Sequence, residues 1–198
     1  MCGFRDIAGE TYAGRSGLHA SANPAARTTN GAGPHNLQVF LLAPDGTVLH
    51  CLPGYWDPQD LAFEIAFAEQ LWGVWRDSSL TRAQKDERFR ALHVAHVDAH
   101  PQEMVDRSPM QSFDKKYETK KRPETSDCIL REGSRQPRLR PRGKRQQDEF
   151  KTTDQIAHER MAARPFVPYA KFDTARFVDY GRPLYDKRKL DGCGDHKH

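Results

Sequence analysis

The 198-residue sequence predicts a mixed fold of the α/β (α+β) class, with a central β-hairpin, helices beside it and a long basic, aromatic C-terminal extension of low regular structure. Three observations lead there. Apolar residues concentrate between Leu37 and Val97 and thin out beyond about residue 105, where Lys, Arg, Gln, Pro and Asp dominate. Within the apolar stretch the pattern changes from short β-type runs around a turn to apolar residues at helical spacing. A hydrophobic share of 37% and a mean hydropathy of −0.84 are low for a chain that is globular throughout, so only part of it buries a sizeable core.

Residues 1–36 hold six Gly and seven Ala with no apolar periodicity, and Asn23-Pro24, Asn30-Gly31 and Gly33-Pro34 punctuate them as a covering loop segment. From Leu37 to Leu42 an apolar run is broken only by Gln38; Pro44-Asp45-Gly46 then turns the chain, and Thr47 to Leu52 returns with apolar and β-branched residues. That is a hairpin. Asp57 can cap a helix with Pro58 at its first position, and Leu61, Ile65, Ala68 and Trp72 recur at helical spacing, with Phe63, Phe67, Leu71 and Trp75 widening the face. Phe40, Leu42, Val48, Phe67 and Trp72 are expected to share one core. A second helix is predicted over Ser78 to His100, capped at Ser78-Ser79, with Leu80, Ala83, Phe89, Leu92 and Val97 as an interrupted stripe. Residues 37–104 thus form the compact core, and 105–198 the extension, whose composition does not easily offset the entropy of ordering.

Strand, Pro44-Asp45-Gly46 turn, strand, Gly54 and a helix opened by Asp57-Pro58-Gln59-Asp60-Leu61 resemble the C-terminal ββα unit of the thioredoxin-like family. The resemblance covers about residues 36–76 and implies a partial or divergent thioredoxin-like fold. It implies thiol redox chemistry only if a reactive dithiol is present, because such chemistry needs a thiolate at a helix N-terminus and a resolving partner. The four cysteines, Cys2, Cys51, Cys128 and Cys193, are scattered with no CxxC. Cys2 is the best available nucleophile, since it precedes Leu37 by about the distance between the family's redox motif and its cis-proline. Cys51, just past the second strand, ranks behind it and equally suits a small core side chain.

Three further groups carry candidate chemistry. His93, His96 and His100, spaced three and then four, lie on one face of the second helix and are a candidate metal site, with Asp98 or Glu103 as a fourth ligand or orienting partner. The same spacing suits histidines at the rim of an amphipathic helix, and both readings stand. Residues 115–145 carry twelve Lys or Arg against four Asp or Glu, a net of +8 that leaves the rest of the chain at −4. Within them Arg135, Arg138, Arg140, Arg142, Lys144 and Arg145 form a strip able to neutralise phosphates or an acidic protein face, or simply a solvated linker. Phe166, Tyr169, Phe172, Phe177, Tyr180 and Tyr185 recur among prolines and charges, as in an extended arm that docks its aromatics on its own core, a second copy or another protein.

No apolar run reaches the length of a membrane span, and the N-terminus has no basic flank followed by an apolar stretch, which predicts a cytoplasmic protein without membrane association. No cofactor is expected. The leading expectation is a non-catalytic thioredoxin-like scaffold that docks a protein partner or a second copy through its C-terminal arm. The alternatives are a thiol-disulfide oxidoreductase with a divergent or truncated active site, and an electrostatic nucleic-acid-binding protein.

Overall fold

A computed structural model describes residues 2–4, 29–31, 38–110, 150–174 and 177. Its sheet has three antiparallel strands in the order β1 (Cys2–Phe4), β2 (Gln38–Leu42), β3 (Val48–Pro53). The β2–β3 hairpin forms where the apolar runs place it. Gly46 supplies the left-handed φ of +83° that the Pro44-Asp45-Gly46 turn needs, and Asp45 Oδ1 accepts the Thr47 amide at 2.9 Å. The third strand is a correction to residues 1–36 as loop throughout: Cys2 pairs with Leu41 and Phe4 with Val39. Three residues are too short a run to show a period of two.

Helix α1 (Pro58–Arg76) starts as expected, with Asp57 accepting the Gln59 amide. Its buried face differs from the all-apolar stripe. Asp60, Glu64, Phe67, Ala68 and Leu71 turn inward, while Phe63 and Ile65 are 37% and 40% exposed. Helix α2 (Arg82–Asp98) begins later than the Ser78-Ser79 pair would place it, because Thr81 and Gln84 form a reciprocal capping box. A short α3 (Gln102–Arg107) follows, and α4 (Thr153–Ala162) packs along α2. None of the described helices is long and apolar enough to cross a membrane.

Phe40, Val48, Cys51, Phe67, Leu71 and Phe89 form one core, with Leu42 and Trp72 partly buried against it. Ala157 and Met161 of α4 and the rings of Phe166, Phe172 and Phe177 complete the same cluster. The expected division at residue 105 therefore does not mark the edge of the core. The idea of these three aromatics as partner-docking groups also needs correction, since each is 5% exposed or less and occupied by its own chain. Tyr169, in a 3-10 helix (Tyr169–Lys171), packs edge-on against Phe40 at 4.9 Å. Backbone bonds supply what aromatic burial alone could not: Val48 N–H donates to Val167 O and Tyr169 N–H to Gly46 O, each at 2.9 Å. Tyr180, Tyr185 and the strip from Arg135 to Arg145 lie outside the described residues.

A polar knot fixes how α4 returns to α1. Asn30 is fully buried; its Nδ2 donates to Asp60 Oδ2 (2.7 Å) and Ser108 Oγ (3.1 Å), and its Oδ1 accepts the Asp57 amide (2.9 Å). Thr153 Oγ1 donates to the Asn30 carbonyl (2.6 Å), and the Thr153 amide to the Ser108 carbonyl (2.8 Å). Gly31 must be glycine here: its φ is +73°, and a Cβ would come within 3.1 Å of the Thr153 Cβ. Arg107 forks onto both Asp60 oxygens.

Two predictions follow from this packing. Phe166→Ala should destabilise the chain by about 3–5 kcal/mol, the cost of emptying a core aromatic site, measured by urea unfolding; a change under about 0.5 kcal/mol, as at an exposed site, would mean the ring is not core. The second concerns acid. Burial pushes the Asp60 carboxyl up, but the bonds from Arg107 and Asn30 outweigh it and hold it below its usual 3.8. A depressed folded value contributes stability that is present above about pH 4 and lost as pH falls through the folded value. Between pH 6 and pH 3, the urea midpoint of the wild type should therefore fall further than that of Asp60→Asn.

Candidate metal centre

Four elements turn titratable side chains into one buried volume. Strand β3 supplies His50, α1 supplies Glu64, α2 supplies His93, His96 and His100, and α4 supplies Asp154 and His158. All seven are buried, and Glu64, His50 and His93 show no exposed surface at all. Helical spacing explains the pairs: His96 and His100, like Asp154 and His158, stand four residues apart and so project from one face one turn apart.

Glu64 is the centre. His50 Nε2 lies 2.9 Å from its Oε2, and the Nε2 atoms of His96 and His100 lie 3.3 Å from its Oε1. His158 Nε2 approaches both oxygens, at 3.3 and 3.2 Å. One donor atom from each of Glu64, His96, His100 and His158 falls within 4.8 Å of the others. The His100 contact lacks hydrogen-bond alignment, so its Nε2 has no hydrogen-bonding partner, while its Nδ1 is held at 2.7 Å by Asp154 Oδ2. A carboxylate behind an imidazole whose other nitrogen is free is the arrangement that orients metal-ligating histidines. Aromatic rings close the sides: Phe67 stacks on His96 with centroids 3.9 Å apart, and Phe63 covers its other neighbourhood at 4.8 Å.

The electrostatics follow from burial and mutual contact. Burial alone would push the Glu64 carboxyl up, but His158, His100 and His50 outweigh it and hold it well below the usual range. His100 moves the other way: burial lowers it, yet Asp154 and Glu64 together raise it to about 9. Burial lowers His158 to about 4 against the pull of Glu64, with His50 and His96 adding to the depression. Burial, then His158 and His50, keep His93 well below its ordinary value. The Glu64 carboxylate thus stands beside two imidazoles, His93 and His158, that burial holds in the neutral form, and beside His100, whose cationic form the two carboxylates favour.

Of the expected histidines, His96 and His100 join the group and His93 does not; its Nδ1 instead meets His158 Nδ1 at 2.8 Å. The reason is distance along the helix. Seven residues of α-helix rise about 10 Å, too far for His93 and His100 to meet at one ion. Asp98 and Glu103, the expected fourth ligands, are exposed, and their place is taken by Glu64 and His158 from other elements. Glu64 was legible only as the residue continuing the inward line of Asp60, Phe67 and Leu71, a line that apolar periodicity does not score. Asp154 and His158 repeat the four-residue spacing of His96 and His100, which was the available signal for α4.

The thiols fare differently. Cys2 lies in β1, paired with Leu41 of β2. Cys51 is fully buried, its Sγ 3.8 Å from Gln38 Oε1. Burial pushes its thiol well above the ordinary value despite the opposing charge of Arg164, which corrects its candidacy as a nucleophile, since the thiolate is the reactive form.

Compared with known proteins, the chain matches no protein-family model, no curated protein and no solved structure.

Cys51 should resist alkylation by iodoacetamide in the native chain at pH 8 and react fully in 6 M guanidinium (about the concentration that unfolds most proteins), as mapped by mass spectrometry of its peptide. Native modification at the rate of a free thiol would contradict the burial described.

Proposed function

We propose that this protein is a metal-stabilised, non-catalytic scaffold in which Glu64, His96, His100 and His158 hold one divalent first-row transition-metal ion. The observation that carries the proposal is the convergence of their four donor atoms within 4.8 Å inside the protein. The separations of 3.2–3.3 Å between Glu64 oxygens and three Nε2 atoms are long for charge-assisted hydrogen bonds, which run at about 2.7–2.9 Å. They suit neighbouring ligands on one ion: with metal bonds of about 2.0–2.2 Å, ligands at right or tetrahedral angles stand roughly 2.8–3.6 Å apart. Imidazole and carboxylate donors without a thiolate match Zn²⁺, and also Fe²⁺ or Ni²⁺.

Four protein ligands fill a tetrahedral zinc, so the role proposed for the ion is to tie elements together. Glu64, His96 and His100 come from the α1–α2 pair, whereas His158 is delivered by α4. An ion gripped by both makes metal-binding free energy part of folding free energy. The scaffold reading draws support from the burial of Cys51 and from the hairpin followed by an Asp57-capped helix, which suits a thioredoxin-like frame. Docking of a partner, or of nucleic acid on residues 115–145, rests on the sequence expectation alone.

The full-length chain, stripped with chelator, should take up one equivalent of Zn²⁺ or Co²⁺, with Co²⁺ giving visible d–d absorption, and its thermal midpoint should rise on loading because the ion binds only the folded state. Glu64→Gln and His158→Ala should abolish stoichiometric uptake, while Asp154→Asn, which removes the group orienting His100, should weaken it by about 10- to 100-fold. Under a tenth of an equivalent bound, together with an unmoved midpoint, would sink the proposal.

A further inference from the structure

His50 touches Glu64 but supplies no atom to the donor set of Glu64, His96, His100 and His158. It nevertheless comes closer to that carboxylate than any of the three imidazoles in the set, with its Nε2 2.9 Å from Oε2. The two oxygens of Glu64 are therefore unlike. The Nε2 atoms of His96, His100 and His158 surround Oε1, each at 3.3 Å, which is the spacing of neighbouring ligands on one ion. Oε2 carries the His50 contact at the length of a charge-assisted hydrogen bond, and His158 stands between the two oxygens, 3.2 Å from Oε2.

A carboxylate oxygen only accepts, so the bond requires a proton on His50 Nε2. No acceptor draws that proton to the other nitrogen: His50 Nδ1 is buried and has no hydrogen-bond partner among the described residues. The ring has little freedom to swing away. It is fully buried on β3, all six residues of which are buried, and it stands edge-on to Phe67 with centroids 5.8 Å apart. An imidazole that binds an ion through Nε2 keeps its proton on Nδ1, so His50 has the opposite tautomer to the three ligating rings.

We propose that His50 is a positioning residue that sets the metal specificity of the centre: it holds Glu64 Oε2 and so leaves Oε1 alone to ligate. A carboxylate free to turn can bring both oxygens to an ion and add a fifth donor. One whose second oxygen is bonded to an N–H on a rigid strand gives up that bond to do so. Four donors in a closed set suit Zn²⁺, which has no d-electron preference and is tetrahedral in structural sites. Ni²⁺ prefers square-planar or tetragonal surroundings and gains from a further donor. The proposal rests on the metal reading and narrows its choice of ion to zinc.

The test uses the full-length chain. In the zinc-loaded wild type with ¹⁵N-labelled histidine, long-range ¹H–¹⁵N spectra should show His50 protonated on Nε2, and His96, His100 and His158 protonated on Nδ1. Bound zinc with His50 protonated on Nδ1 instead, or a coupling between ¹¹³Cd and His50 Nε2 in the cadmium-loaded chain, would overturn this proposal and leave the metal reading standing. The wild type should also prefer Zn²⁺ over Ni²⁺ in direct competition, and equal affinity for the two ions would overturn the specificity role without any variant being needed. His50→Leu, which removes the donor, should lower that preference roughly tenfold, on the scale of losses at groups that orient ligands. It should also weaken the d–d absorption of the Co²⁺-loaded chain, because tetrahedral Co²⁺ absorbs more strongly than five-coordinate Co²⁺. His50→Gln, whose amide keeps an N–H near the position of Nε2, should restore both. A merely structural role predicts that His50→Leu weakens zinc and nickel alike with the Co²⁺ spectrum unchanged, and that result would overturn the proposal. A wild type that takes up no zinc would overturn the metal reading and this proposal with it.

Discussion

The carboxylate of Glu64 has no exposed surface, and the need to compensate that buried charge shapes what surrounds it. An isolated ionised carboxylate in a protein interior costs so much that the group normally takes up a proton or finds partners. Here it finds imidazoles from three other elements. His50 reaches it from the sheet, His96 and His100 from α2, and His158 from α4. Each of these contacts pulls a separate segment onto one side chain of α1, so the same requirement that compensates the charge also draws the helices and the sheet together. The dication proposed above would meet Glu64 directly and Asp154 only through the His100 ring that Asp154 orients. His100 lies between the two carboxylates, its Nδ1 bonded to Asp154 and its Nε2 3.3 Å from Glu64, and together they favour its protonated form.

The polar knot at Asn30 makes the arrangement possible from a distance. Its bonds join the cap of α1, the end of α3 and the start of α4, and they set where α4 begins its run along α2. Starting there, the four-residue spacing of Asp154 and His158 brings both onto the face opposite His100 and His93. Beyond α4, the chain turns at Phe166, whose φ of +46° is unusual for a bulky residue. That conformation is held by burial of the ring and by Arg82, whose Nη2 donates to the carbonyls of Pro165 (3.0 Å) and Phe166 (3.3 Å). Phe166, Phe172 and Phe177 thereby join the core that includes Phe40 and Val48 of the sheet.

Thiol chemistry wants an exposed, electropositive cysteine at a helix start, and Cys51 sits under the helices in apolar surroundings. The titratable groups that converge among the described residues are nitrogen and oxygen donors.

Local sequence determined the hairpin, the turn at Gly46, the start of α1 at Asp57-Pro58 and the membership of Phe40, Val48 and Phe67 in one core, because each depends on neighbours within a few residues or on a simple apolar period. It also marked His93, His96 and His100 as one helical face, of which His96 and His100 join the cluster. The tertiary structure alone decided that Glu64 faces inward, that His158 and Asp154 meet the α2 histidines, and that Phe166, Phe172 and Phe177 belong to the core. These facts rest on contacts between residues far apart in the chain. A carboxylate at an inward helical position reads as surface in any local pattern, and only the imidazoles that converge on it from other elements make its burial affordable.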